Sequence, residues 1–110
     1  MNKVGKYRIS VGEPWNYDGP NGPNLIHGRI IRELAPDCLI FKSDQELHFG
    51  GAKGKNILLK SRYEGETLKC KEEYCGVING RLILSENVNE SLDALEKQSK
   101  LVLIGSLKKL

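Results

Sequence analysis

Turn-forming residues punctuate this chain roughly every 8–15 residues, separating short runs rich in Ile, Leu, Val and Tyr. That spacing is the rhythm of an all-β sandwich or barrel, because a strand needs few residues and each reversal needs Gly, Pro, Asn or Asp. The strongest reversal signal is VINGRLIL, where Asn79-Gly80 lies between two apolar runs. A type I′ turn needs positive φ at both central residues, so this pair predicts a hairpin between strands at 74–78 and 81–85. In LAPDCL, Pro36 supplies the fixed φ of a turn and Asp37 follows it, joining NLIHGRIIREL to CLIFK. FGGAKGKN separates ELHF from NILLKSRY. KYRISV alternates Tyr7, Ile9 and Val11 with Arg8 and Ser10, as a half-buried strand does. KLVLIGSL supplies the last β-rich run.

Only NVNESLDALEKQS reads as helix, with Asn89 as its cap, acids in its first turns, Lys97 and Lys100 near its end, and Leu92 and Leu95 as its apolar stripe. The expected architecture is therefore mainly β: a small antiparallel barrel or sandwich, OB- or SH3-like in size. It has about seven or eight short strands and one short helix near the C-terminus. With 110 residues, 39% hydrophobic and 28% charged, the chain suits a single folded domain over 1–110 and is too short for two cores.

Charge and cysteine usage narrow the class. A net charge of +3 is mild and falls short of a dedicated DNA-binding charge, so any electrostatic footprint must come from patterning. The start, MNKVGKYRIS, lacks the apolar stretch of a secretory signal, and no run is long enough to span a bilayer. Three cysteines, an odd number, do not suggest a disulfide framework. The expectation is a reduced, cytoplasmic protein without membrane contact, a monomer or small homo-oligomer. Exposed strand edges are one route to self-association.

The most unusual stretch is NYDGPNGPN, residues 16–24. Pro20 and Pro23 stiffen it and hold Gly19 and Gly22 out of the helical region. A three-residue repeat in an extended ribbon aligns Asp18, Asn21 and Asn24 along one edge. Trp15 and Tyr17 lead into it. The functional expectation is a rigid loop presenting apolar contact area and directional hydrogen bonds to a protein or a small polar or anionic ligand. The plainer alternative is a stiff connection whose Asp and Asn bond their own backbone. GGAKGK is not a phosphate loop, since Gly50 and Gly54-Lys55 are one residue too close and Asn56 stands where Ser or Thr is needed. Lys53 and Lys55 can still attract acidic groups, so this loop joins the first as a combined candidate surface.

A second class is nucleic-acid binding. In NILLKSRYEGETLKCKEE, a turn at Glu64-Gly65 leading to a strand at 68–71 places Lys60, Arg62, Lys69 and Lys71 on one solvent face, with Leu59, Tyr63, Leu68 and Cys70 opposite. Glu64, Glu66, Glu72 and Glu73 flank that stripe, and no RNP-type aromatic motif occurs. A third class is a small enzyme around His27 or His48, which requires a pocket holding the imidazole and a second polar group. No nucleophile elbow, zinc-protease pair or zinc-finger spacing is present, so no catalytic residue, metal or cofactor is expected. The leading expectation is a non-catalytic binding or interaction module.

Overall fold

The computed structural model describes residues 5–14, 17, 18 and 24–110. Trp15, Asn21 and the two loop prolines lie outside them. Among the described residues six strands follow the chain in order, β1 (Lys6–Pro14), β2 (Leu25–Ala35), β3 (Cys38–Phe49), β4 (Ala52–Ser61), β5 (Tyr74–Ile83) and β6 (Ser99–Lys109), with helix α1 (Leu92–Lys97) before the last. Every neighbour is antiparallel, and β1 pairs with β6, so the sheet closes into a barrel of order β1-β2-β3-β4-β5-β6. The mainly β, antiparallel expectation holds, and of its two alternatives the barrel is the one formed. Closure also removes the strand edges through which self-association was one expectation.

Six strands stand where seven or eight were expected, for identifiable reasons. The Asn79-Gly80 pair makes no hairpin. Asn79 pairs with Lys60 on one side and Ile104 on the other, and Gly80 pairs with Leu59 and Leu103. A Cβ on Gly80 would lie 2.8 Å from Leu103 Cδ1 and 3.3 Å from Ile57 Cγ2, so this glycine serves a close approach inside the barrel. The I′-type turn instead falls at Gly50-Gly51, with φ of 58° and 83°, between β3 and β4. CLIFK and ELHF merge into β3 through an irregularity between Lys42 and Leu47. The Pro36-Asp37 turn and the Glu64-Gly65 turn both form, the latter closed by a Glu66 N–H to Tyr63 carbonyl bond of 3.2 Å.

No strand follows that second turn. The open edge of β4 is taken by β5, and Leu68 donates its N–H to the Pro36 carbonyl at 2.9 Å. The cross-strand stripe of Lys60, Arg62, Lys69 and Lys71 therefore does not exist. Cys70 and Cys75 form a disulfide, which overturns the expectation of three reduced thiols. They flank a tight reversal in which Lys71 and Tyr74 exchange backbone hydrogen bonds.

Side chains fill the barrel: Tyr7, Ile9, Ile26, Phe41, Leu59, Ile78 and Leu107 are among its buried lining. A ligand cradled in the lumen, as in larger barrels, has no place among them. A second apolar cluster lies outside the barrel, where Leu95 of α1 covers Cys38, Ile40, Leu58 and Ile83. The helix is shorter than the sequence suggests and is capped by Ser91, not Asn89; the Ser91 hydroxyl accepts the Ala94 N–H at 3.3 Å. Arg32 ties down the approach to it by donating to the carbonyls of Val88 and Glu90 at 2.8 and 2.6 Å. Among the described residues no helix is long and apolar enough to cross a membrane.

Burial pushes the Cys38 thiol up to about 11; the Lys60 ammonium opposes this, while Asp37 and Glu96 add to it. The folded protein thus holds this proton more tightly than the unfolded chain, whose thiol titrates near ~8.5. Its contribution to stability is complete below the unfolded value and is lost as pH rises toward 11. The expected loss across that window is on the order of 3 kcal/mol. Urea denaturation at pH 8 to 11 will show a shallower decline for Cys38→Ala than for wild type. Tyr7, also raised by burial and then by Glu33, leaves a residual slope in both.

Candidate functional site

Of the first candidate loop, the described residues Tyr17 and Asp18 meet the β3–β4 turn at one end of the barrel, while Trp15 and Asn21 lie outside the described residues. Asp18 N–H donates to the His48 carbonyl at 2.8 Å, and the Asp18 carboxylate accepts the Gly50 and Gly51 N–H groups at 3.1 and 2.8 Å. The Tyr17 ring stands edge-on to Phe49 with centroids 4.9 Å apart. These contacts commit Asp18 and much of Tyr17 to bracing the Gly50-Gly51 turn. Asn24 is exposed, and its carbonyl accepts the Val11 N–H at 2.8 Å. Lys53 and Lys55 are exposed on β4.

His27 is exposed on β2, and His48 Nε2 lies 3.5 Å from Glu46 Oε1 with both side chains about half exposed. Neither histidine lines any of the main recesses of the surface. Among the described residues no three His, Cys, Asp or Glu side chains converge as metal ligands do.

A different surface emerges from the strand register. The β5–β6 connection and α1 cover the outside of the barrel at the end of β2, the start of β3, the middle of β4 and the end of β5, through Leu34, Ala35, Cys38, Ile40, Leu58 and Ile83. Away from them, Lys6, His27 and Arg29 are exposed on β1 and β2, and Arg8, Lys42 and Lys108 are half-buried on β1, β3 and β6. Tyr7 and Ile9 point inward, so Lys6, Arg8 and Ser10 point outward. Arg8 stands directly opposite Lys108 on β6 and His27 on β2, and Lys108 stands opposite Tyr74 on β5. One lateral row across four strands therefore reads Tyr74, Lys108, Arg8, His27. In the next row Lys6 pairs with Arg29, and Arg29 with Lys42.

Opposed side chains in such pairs have Cβ atoms about 4.5–5.5 Å apart, and like charges there repel. The only ion pairs among the described residues are Lys60–Glu96 at 3.1 Å and His48–Glu46, so none of these five cations is neutralised by a carboxylate contact. The Arg8 Nε is buried without a hydrogen-bond partner, leaving an unused donor. Acids border the second row: Asp44 shares a recess with Arg29, Lys42 and Lys55, and Glu46 shares another with Lys42.

The four cations expected to form a stripe are dispersed relative to this face. Lys60 is held by Glu96 beneath α1. Arg62 bonds Asn79 Oδ1 at 3.1 Å and shares a recess with Ser10 of β1 and Ser106 of β6. Lys69 and Lys71 line a groove with Tyr74. The Lys6–Arg29–Lys42 and Lys108–Arg8–His27 rows went unread in the sequence, because they join residues of four strands whose pairing no local pattern specifies. Their one sequence trace is the alternation of KYRISV, which puts Arg8 outward.

No protein family, curated protein or solved structure matches this chain. The geometry alone therefore carries the functional reading.

Proposed function

We propose that this barrel is a non-catalytic binding domain whose outer β6–β1–β2–β3 face takes a polyanionic partner. The observation supporting it is the pair of registered rows: five cations on adjacent strands, held close by the sheet and without carboxylate contacts. Such an arrangement costs stability unless an anion offsets the repulsion. A filled lumen and cations set side by side on the outer face favour surface recognition. In this reading the Asp18-braced loop end is scaffold.

The test is binding of a fluorescent polyanion at low salt. Arg8→Glu combined with Lys108→Glu is expected to weaken binding at least ~100-fold and to lower the log–log salt slope by roughly 1–2. A charge-matched control, Lys53→Glu with Lys97→Glu, should stay within about threefold of wild type, since any change there reflects only long-range, screened charge. Equal losses in the two double variants would leave net charge as the sole cause and remove the face as a site.

A further inference from the structure

The cationic row does not stop at Lys108. Its next member, Tyr74, is 44% exposed and forms one wall of a groove of about 570 Å³ below the β4–β5 connection. The groove is also lined by Tyr63, Lys69, Lys71, Glu66 and Val77. Tyr63 is 53% exposed, so two half-exposed tyrosines line the same groove at the end of a line of cations. The Cys70–Cys75 disulfide and the Lys71–Tyr74 backbone pair hold this wall.

We infer that the polyanion is a single-stranded nucleic acid, its phosphates running along Lys6, Arg29, Arg8 and Lys108 and its bases stacking on Tyr74 and Tyr63. This rests on the polyanion-binding reading above and adds the ligand class to it. Proteins that hold single strands combine a positively charged track with aromatic rings, because every base offers a π-face while its backbone offers regular charge. A duplex keeps its bases stacked inside and gives the tyrosines nothing to receive. A base-free polymer such as polyphosphate uses the track alone. Lys69 and Lys71 at the groove rim add to the field and partly offset Glu66.

The experiment measures anisotropy of a labelled 20-mer oligothymidylate, with unlabelled polyphosphate, duplex DNA of matched length and anionic phospholipid vesicles as competitors. Wild type should bind the single strand most tightly. Tyr63→Ala and Tyr74→Ala should each weaken it about tenfold, while Tyr63→Phe and Tyr74→Phe stay near wild type. Polyphosphate affinity should not change in any of the four. Circular dichroism and melting of each variant check folding, and Tyr63, outside any strand, serves if Tyr74→Ala melts early. Alanine variants that bind the oligonucleotide like wild type overturn the inference. So does polyphosphate, duplex or vesicle binding as tight as the single strand, and in each of these cases the cationic face itself still stands. Failure to bind any polyanion at low salt overturns both readings together.

Discussion

Gly28→Ala is expected to cost more than ~4 kcal/mol and to leave little folded protein at moderate temperature. A Cβ at this position would lie 2.1 Å from the Lys42 carbonyl oxygen and 2.7 Å from Phe41 Cζ. The ring has limited room to move, since Phe41 is fully buried in the barrel lining. The carbonyl has less, because Gly28 pairs with Ser43 on β3 and with Tyr7 on β1. Relief requires pushing β3 off β2 in the middle of a closed sheet, which breaks ladder hydrogen bonds on both strands. Urea titration followed by circular dichroism reads the loss as a fall in midpoint. In thermal melts the same loss is about 20 °C for a domain of this size. A midpoint within about 1 kcal/mol of wild type would mean that the strands separate easily here and that Phe41 does not pack over Gly28.

Leu68→Ala is expected to cost about 2–5 kcal/mol. Leu68 is the one buried side chain between Arg62 and Glu73, 1% exposed, in a segment with no strand of its own. It inserts into the barrel core while its backbone reaches the Pro36 carbonyl. Losing it leaves a cavity and frees the connection that carries Tyr63, Lys69 and Lys71. The disulfide two residues on closes a short loop, worth about 2 kcal/mol in the chain-entropy account. Because the two restraints hold one segment, their effects will not add. Reducing the disulfide should cost wild type more than it costs Leu68→Ala, measured by urea denaturation with and without dithiothreitol. Trypsin should cut first after Lys69 or Lys71 in the variant. Equal reduction costs in both proteins would show that Leu68 and the disulfide restrain separate things.

Much of the fold was legible locally. The alternation of KYRISV, the Pro36-Asp37 turn and the Leu92/Leu95 stripe each report which way a side chain faces, and short-range sterics and periodicity decide that. The errors share a cause. Asn79-Gly80 has the chemistry of a turn, yet β4 and β6 pair with it on both sides and Gly80 is needed where Leu103 and Ile57 crowd the lumen. TLKCK alternates like a strand, but β5 already occupies the edge it needed. In both cases the deciding partner is distant in sequence. The site follows the same logic: Asp18 was recognisable as a loop acid, whereas its use on the Gly50-Gly51 turn depends on a neighbour more than thirty residues away. Arg8, Lys108 and Arg29 are ordinary surface cations until the register sets them side by side.

The β1–β6 seam has a consequence for the order in which the molecule assembles. Tyr7 pairs with Lys109 and Val11 with Gly105, partners nearly the whole chain apart. Closing so large a loop is entropically late and slow, as in other topologies dominated by non-local pairing. Until β6 arrives, β1 and β5 each present an unpaired edge to other nascent chains. A chain halted before its final strand, on the ribosome or by truncation, is thus an open five-stranded sheet, and its hazard is aggregation more than inactivity.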